Sequence, residues 1–110
     1  MVADSKVRET ILKIADRIKA QYKPDKIILY GSYAYGRPTE DSDIDMLIIK
    51  DTKERPIDRR IAVRVIVSEL RRGYPFSPFV ITPKELKNRI EFGDKFLEEL
   101  LLRGEVIYAQ

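Results

Sequence analysis

Apolar residues recur every three or four positions through Val7, Ile11, Ile14, Ala15 and Ile18, a spacing that gathers them on one face of a helix. Asp4 or Ser5 can cap that helix, and Pro24 lies beyond its end. The pattern then changes period. Ile27-Ile28-Leu29-Tyr30 and Met46-Leu47-Ile48-Ile49 are short unbroken apolar runs, which predict strands buried in the protein. Between Ile57 and Leu70 two readings compete, because Val63-Arg64-Val65-Ile66-Val67 is rich in the β-branched residues that favour strands. A helix is preferred. At about 100° per residue, Arg60, Arg64 and Arg71 fall in one sector opposite Ile61, Ala62, Val65, Ile66 and Leu70, and Gly73 stands where it would end the helix.

Phe79-Val80-Ile81 predicts a third strand, and Thr82-Pro83-Lys84-Glu85 reads as a capping box with proline at the first helical position. Phe96, Leu97, Leu100 and Leu101 predict a last helix, stopped at Gly104 before a short strand at Val106-Ile107-Tyr108. Together these elements make a small mixed sheet flanked by helices, an α/β fold of the α+β type. A chain of 110 residues suffices for one core and is short for two, so a single domain over residues 1–110 is expected.

Candidate chemistry lies between the first two strands. The run Gly31-Ser32-Tyr33-Ala34-Tyr35-Gly36 is followed by Ser42-Asp43-Ile44-Asp45. Gly31 supplies a turn where backbone can come close to a ligand, and Ser32 adds a hydroxyl and an N–H at the same place. Asp43 and Asp45, two residues apart on a strand, leave the same face of a sheet. Their repulsion is relieved by a hard divalent cation, and with so few protein ligands Mg²⁺ is the natural choice, since it keeps waters and accepts substrate phosphates. Two other motifs are excluded. Arg37 and Pro38 stand where a Walker A loop needs Lys and then Ser or Thr, and Met46 and Thr52 replace the Gly and Glu of an EF-hand loop. The bland alternative is a strand-to-helix turn followed by a surface Asx turn.

This arrangement resembles the minimal nucleotidyltransferases of the DNA polymerase β superfamily, whose signature is Gly-Ser, a short helix, then Asp-x-Asp on the next strand. Gly31-Ser32 and Asp43-Ile44-Asp45 carry the match, with Ala34, Gly36 and Ser42 also in place. The segments Ile81–Leu86 and Phe96–Tyr108 resemble the same family less specifically. The resemblance implies a polymerase β-like core, an NTP such as ATP held by Gly31 and Ser32, and Mg²⁺ held by Asp43 and Asp45 for transfer of a nucleoside monophosphate to a hydroxyl. It also implies a partner, because such small proteins are commonly antitoxins of helical HEPN-domain ribonucleases. Members that transfer nucleotides usually carry a third carboxylate shortly before a Thr-Pro helix start; alignment on Thr82-Pro83 puts Ser77 there, and no Asp or Glu occurs from Arg71 through Lys84. A catalytically weakened nucleotide-binding antitoxin is therefore the competing expectation.

Composition narrows the setting. There is no cysteine, no secretory h-region and no apolar stretch near spanning length, so a cytoplasmic protein with no membrane partner is expected. Seven basic residues (Lys53, Arg55, Arg59, Arg60, Arg64, Arg71 and Arg72) face three acidic ones between Lys53 and Arg72, which reads as a solvated helix face before it reads as a docking surface. The total charge of +3 is too small to make duplex nucleic acid the main partner. With no room for a separate recognition domain, the acceptor must be gripped by the core itself, by a second copy in a homo-oligomer or by a partner protein.

Overall fold

The computed structural model describes every residue from 1 to 110 except Val2 and Arg72. Helix α1 (Ser5–Tyr22) begins where the Asp4 carboxylate accepts from the N–H groups of Lys6 and Val7, and it ends where Lys23 turns left-handed. Four strands follow the pattern of the apolar runs: β1 (Lys26–Tyr30), β2 (Ile44–Ile49), β3 (Phe76–Ile81) and β4 (Glu105–Ala109). They form one sheet in the order β3-β2-β1-β4. β1 is antiparallel to both of its neighbours, whereas β2 and β3 run parallel. The helices between them are α2 (Ser32–Tyr35), α3 (Pro56–Val67), α4 (Pro83–Glu91) and α5 (Lys95–Arg103).

Alternation along each strand divides the sheet into two faces. Ile27, Leu29, Ile44, Met46, Ile48, Phe76 and Val80 pack with the apolar stripe of α1 and with Val63 and Val67 of α3. Ile28, Leu47, Ile49 and Ile81 pack on the opposite side with Leu97 and Leu100 of α5, and with Leu86 and Ile90 of α4. Central strands covered on both faces need apolar residues at successive positions, which is why the runs in β1 and β2 are unbroken. Gly104 admits the last strand, since a Cβ there would lie 2.6 Å from both the Ile28 Cγ2 and the Leu100 carbonyl oxygen. No helix among the described residues is long and apolar enough to cross a membrane.

Three details depart from the sequence pattern. β3 begins at Phe76 rather than Phe79 and contains Pro78; as an edge strand bonded only to β2 it can hold a residue with no N–H to donate. α3 ends at Val67, so Gly73 lies in the following turn at φ 82° and is not the helix stop. The face of α3 is also turned. Arg59, Val63 and Val67 are buried, whereas Ile61 and Val65, expected to point inward, are 53% and 68% exposed. The wider basic segment has no single environment, and Arg72 lies outside the described residues.

The turned face carries Arg59 into a long-range ion pair. Arg59 donates to the carbonyl oxygens of Glu54 and Val80 and grips the Glu85 carboxylate at 2.7 and 3.3 Å. Glu85 is also the capping-box residue of α4, accepting from the Thr82 N–H at 2.9 Å while its own N–H donates to the Thr82 hydroxyl. The Arg59 side chain is only 6% exposed and that of Glu85 is 42% exposed, and the guanidinium holds the Glu85 carboxyl below the usual carboxylate range. Removing the carboxylate therefore strands a buried cation, while removing the cation leaves a carboxylate that water can reach. Glu85→Ala should lower stability by about 3 kcal/mol, and Arg59→Met, which fills the same space with apolar atoms, should cost less. Urea unfolding of both variants checks this order; a larger loss for Arg59→Met would contradict it.

Candidate active site

The site begins where β1 runs out. Gly31 has φ 76° and ψ −155°, a conformation open in practice only to glycine. Its carbonyl oxygen accepts from the N–H groups of Ala34 and Tyr35 at 3.0 and 3.1 Å, and Gly36 N–H closes the turn on Ser32 at 3.0 Å. This short α2 is pinned by Tyr33, which is buried and donates its hydroxyl to the Thr39 carbonyl. A Cβ at Gly31 would collide with the Asp45 carboxylate. The glycine is thus required twice, by its own backbone angles and by the acid beside it.

On the far side of α2 the chain returns through a loop tied by Ser42, whose hydroxyl accepts from the Thr39 N–H at 2.8 Å. Ile44 N–H then donates to the Pro75 carbonyl at 2.7 Å and starts the pairing of β2 with β3. Asp43 stands one residue ahead of β2 rather than within it, and is exposed. Asp45 lies inside the strand. It is the register partner of Tyr30 on β1 and of Ser77 on β3, so these three residues form one row on one face of the sheet.

Electrostatics follow from this placement. Asp45 is half-buried, and burial first, then the negative charge of Asp43, pushes its carboxyl up to about 6. Burial and the same Asp45 carboxylate, with a further contribution from Tyr35, push the Tyr30 hydroxyl up to about 12. Tyr30 therefore stays a neutral donor beside the acid. Two carboxylates that repel each other, one of them partly desolvated, suit a hard divalent cation that keeps positions for water and phosphate oxygens. Among the described residues no group of three His, Cys, Asp or Glu side chains comes together to hold a metal, in keeping with a serine in the row beside Asp45.

Gly31, Asp43 and Asp45 are thus brought together, with Ser32 next in line at the start of α2. Glu40 and Asp41, the two acids that precede Asp43 along the chain, lie in the exposed Thr39–Ser42 turn, and Glu40 lines a cavity with Asp4, Val7, Tyr33 and Tyr74 on the α1 side. Tyr30 was hidden in the sequence as the end of an apolar run. Only strand register puts it beside Asp45.

Residues 11–104 match the family described as "Nucleotidyltransferase domain". The chain belongs to that family. Its mixed sheet with helices on both faces fits the polymerase β-like nucleotidyltransferase fold. Among curated relatives from Methanocaldococcus jannaschii, MJ0604, provisionally named a protein adenylyltransferase, is 30% identical over 91% of this chain and 96% of its own length. MJ1305, with the same provisional name, is 39% identical over 76% of this chain but only 60% of its own length. The chain thus spans little more than half of that longer relative.

The raised Asp45 gives the metal-free protein a defined pH response. A carboxyl with a folded pKa above its unfolded one binds its proton more tightly when folded, so its stabilising effect is full below about pH 4 and is lost as pH rises through about 6. With a chelator present, unfolding free energy should fall across that window, and Asp45→Asn should remove the fall and be the more stable protein at about pH 8. Urea unfolding at stepped pH checks this; a difference between wild type and variant that stays constant with pH would contradict it.

Proposed function

We propose that this chain, as one catalytic domain over residues 1–110, is a Mg²⁺-dependent adenylyltransferase that moves AMP from ATP to a hydroxyl on a protein. The observation that carries the proposal is the Asp45 row, with Asp43 ahead of it and the Gly31 backbone against it. The provisional names of the relatives supply the choice of AMP and of a protein acceptor. Asp43 and Asp45 would hold the cation, and the Gly31–Ser32 turn would receive the triphosphate. Mg²⁺ in such a site neutralises charge on the phosphates and lowers the pKa of an oxygen bound to it.

In the reaction the acceptor oxygen bonds to the α-phosphorus, the bond to pyrophosphate breaks, and the hydroxyl proton passes to a base. Neither Ser77 nor the neutral Tyr30 hydroxyl takes that proton readily. The chain has no histidine. Ionised Asp45 is the acid of the row, and its service to the cation competes with service as a base. Nucleotide binding should therefore be better supported than turnover. Ser77 also favours a second reading, a nucleotide-binding antitoxin that silences a HEPN-type ribonuclease by direct contact.

Ser77→Asp separates these readings, because the new carboxylate would stand in register with Asp45. Transfer from labelled ATP to an acceptor protein should rise at least tenfold while Mg-ATP affinity stays within a few-fold, since the added acid acts on the attacking hydroxyl. Unchanged transfer in the variant would contradict the account of Ser77 as the limiting position. No transfer by either protein, with tight binding to a ribonuclease partner, would favour the antitoxin reading.

A further inference from the structure

Phe96 lies in the first turn of α5 and is 52% exposed, although Leu97 and Leu100 on the same helix are fully buried. Its ring is nevertheless fixed. It meets Tyr30 edge-on, with centroids 5.9 Å apart and planes at 80°. It lies nearly parallel to Phe79 at 6.5 Å and 21°. The Arg89 guanidinium sits 5.4 Å from the centroid of the Phe79 ring. Tyr30 is the register partner of Asp45, and Phe79 is two residues beyond Ser77, hence on the same face of β3. Tyr30 of the Asp45 row is thus joined by two further rings, Phe79 of β3 and Phe96 of α5, and the most exposed of the three is Phe96.

We propose that this aromatic shelf stacks the nucleobase of the triphosphate, with Phe96 as the contacting ring; the inference rests on the nucleotide reading of Asp43 and Asp45. One strand spacing of about 4.8 Å separates β2 from the strand of Tyr30, and Phe96 stands directly against Tyr30. In the proposed pose the ribose bridges a phosphate at the carboxylates and a base on that ring. Every base has a π-face, so stacking accepts all four, and purines gain most by their larger area. The shelf accordingly favours ATP and GTP over CTP and UTP without distinguishing sharply between the two purines.

Titration calorimetry with Mg-ATP and with Mg-tripolyphosphate tests the shelf, because only the first ligand carries a base. Phe96→Ala should weaken ATP binding roughly tenfold, in the range of base–aromatic stacking, and leave tripolyphosphate within twofold. Phe96→Leu preserves packing without a π-face and should show the same selective loss, while Phe96→Tyr should retain affinity. In the wild type, adenine H2 or H8 should give nuclear Overhauser contacts to the Phe96 ring. Normal ATP binding by Phe96→Leu, or equal losses for both ligands, would overturn the shelf while leaving the carboxylate site standing. Failure of the wild type to bind either ligand would overturn the nucleotide reading, and the shelf with it.

Discussion

The register of β2 between β1 and β3 decides where every polar group of the site falls. With Asp45 opposite both Tyr30 and Ser77, the acid faces α5 and the turn at Gly31, while Ile44, Met46 and Ile48 enter the core beneath α1 and α3. A slip of one residue would exchange the two sets, carrying the carboxylate into the core beneath α1 and α3 and forcing Ile44, Met46 and Ile48 into space shaped for Leu47 and Ile49. Burial of both faces of β2 makes that exchange prohibitive. The hydrophobic core thus fixes the position of a charge it does not contain.

That position is electrostatically uncomfortable without a ligand. Asp45 is half-buried beside a second carboxylate, and the Gly31 backbone presses against it. Serine in the third place of the row spares the fold another negative charge. In the proposed reaction the same serine removes a candidate proton acceptor, so the stability of the site and the ease of turnover pull in opposite directions.

Much of the architecture was legible in the chain because its signals are local. Unbroken apolar runs marked β1 and β2, the Thr82–Glu85 capping box marked α4, and the Gly31–Ser32 and Asp43–Asp45 pairs lie within fifteen residues of one another. What was misread depends on distant partners. Arginines on α3 suggest a solvated face, yet Arg59 is drawn inside by Glu85 from another helix. Ser77 and Pro78 interrupt an apolar pattern and hid the start of β3, although an edge strand tolerates both. Tyr30 and Phe96 reach the acid row through register and helix packing, which no spacing along the chain records.

The central claim is that Asp43 and Asp45 form the cation and triphosphate site, and calorimetric titration of Mg-ATP into the wild type and the Asp43→Asn/Asp45→Asn double variant tests it most directly. Binding by the wild type should require Mg²⁺, and the double variant should lose it while remaining folded, since Asp43 is exposed and Asp45 is the acid that burial disfavours. Equal affinity in the two proteins, or wild-type binding indifferent to Mg²⁺, would contradict the assignment.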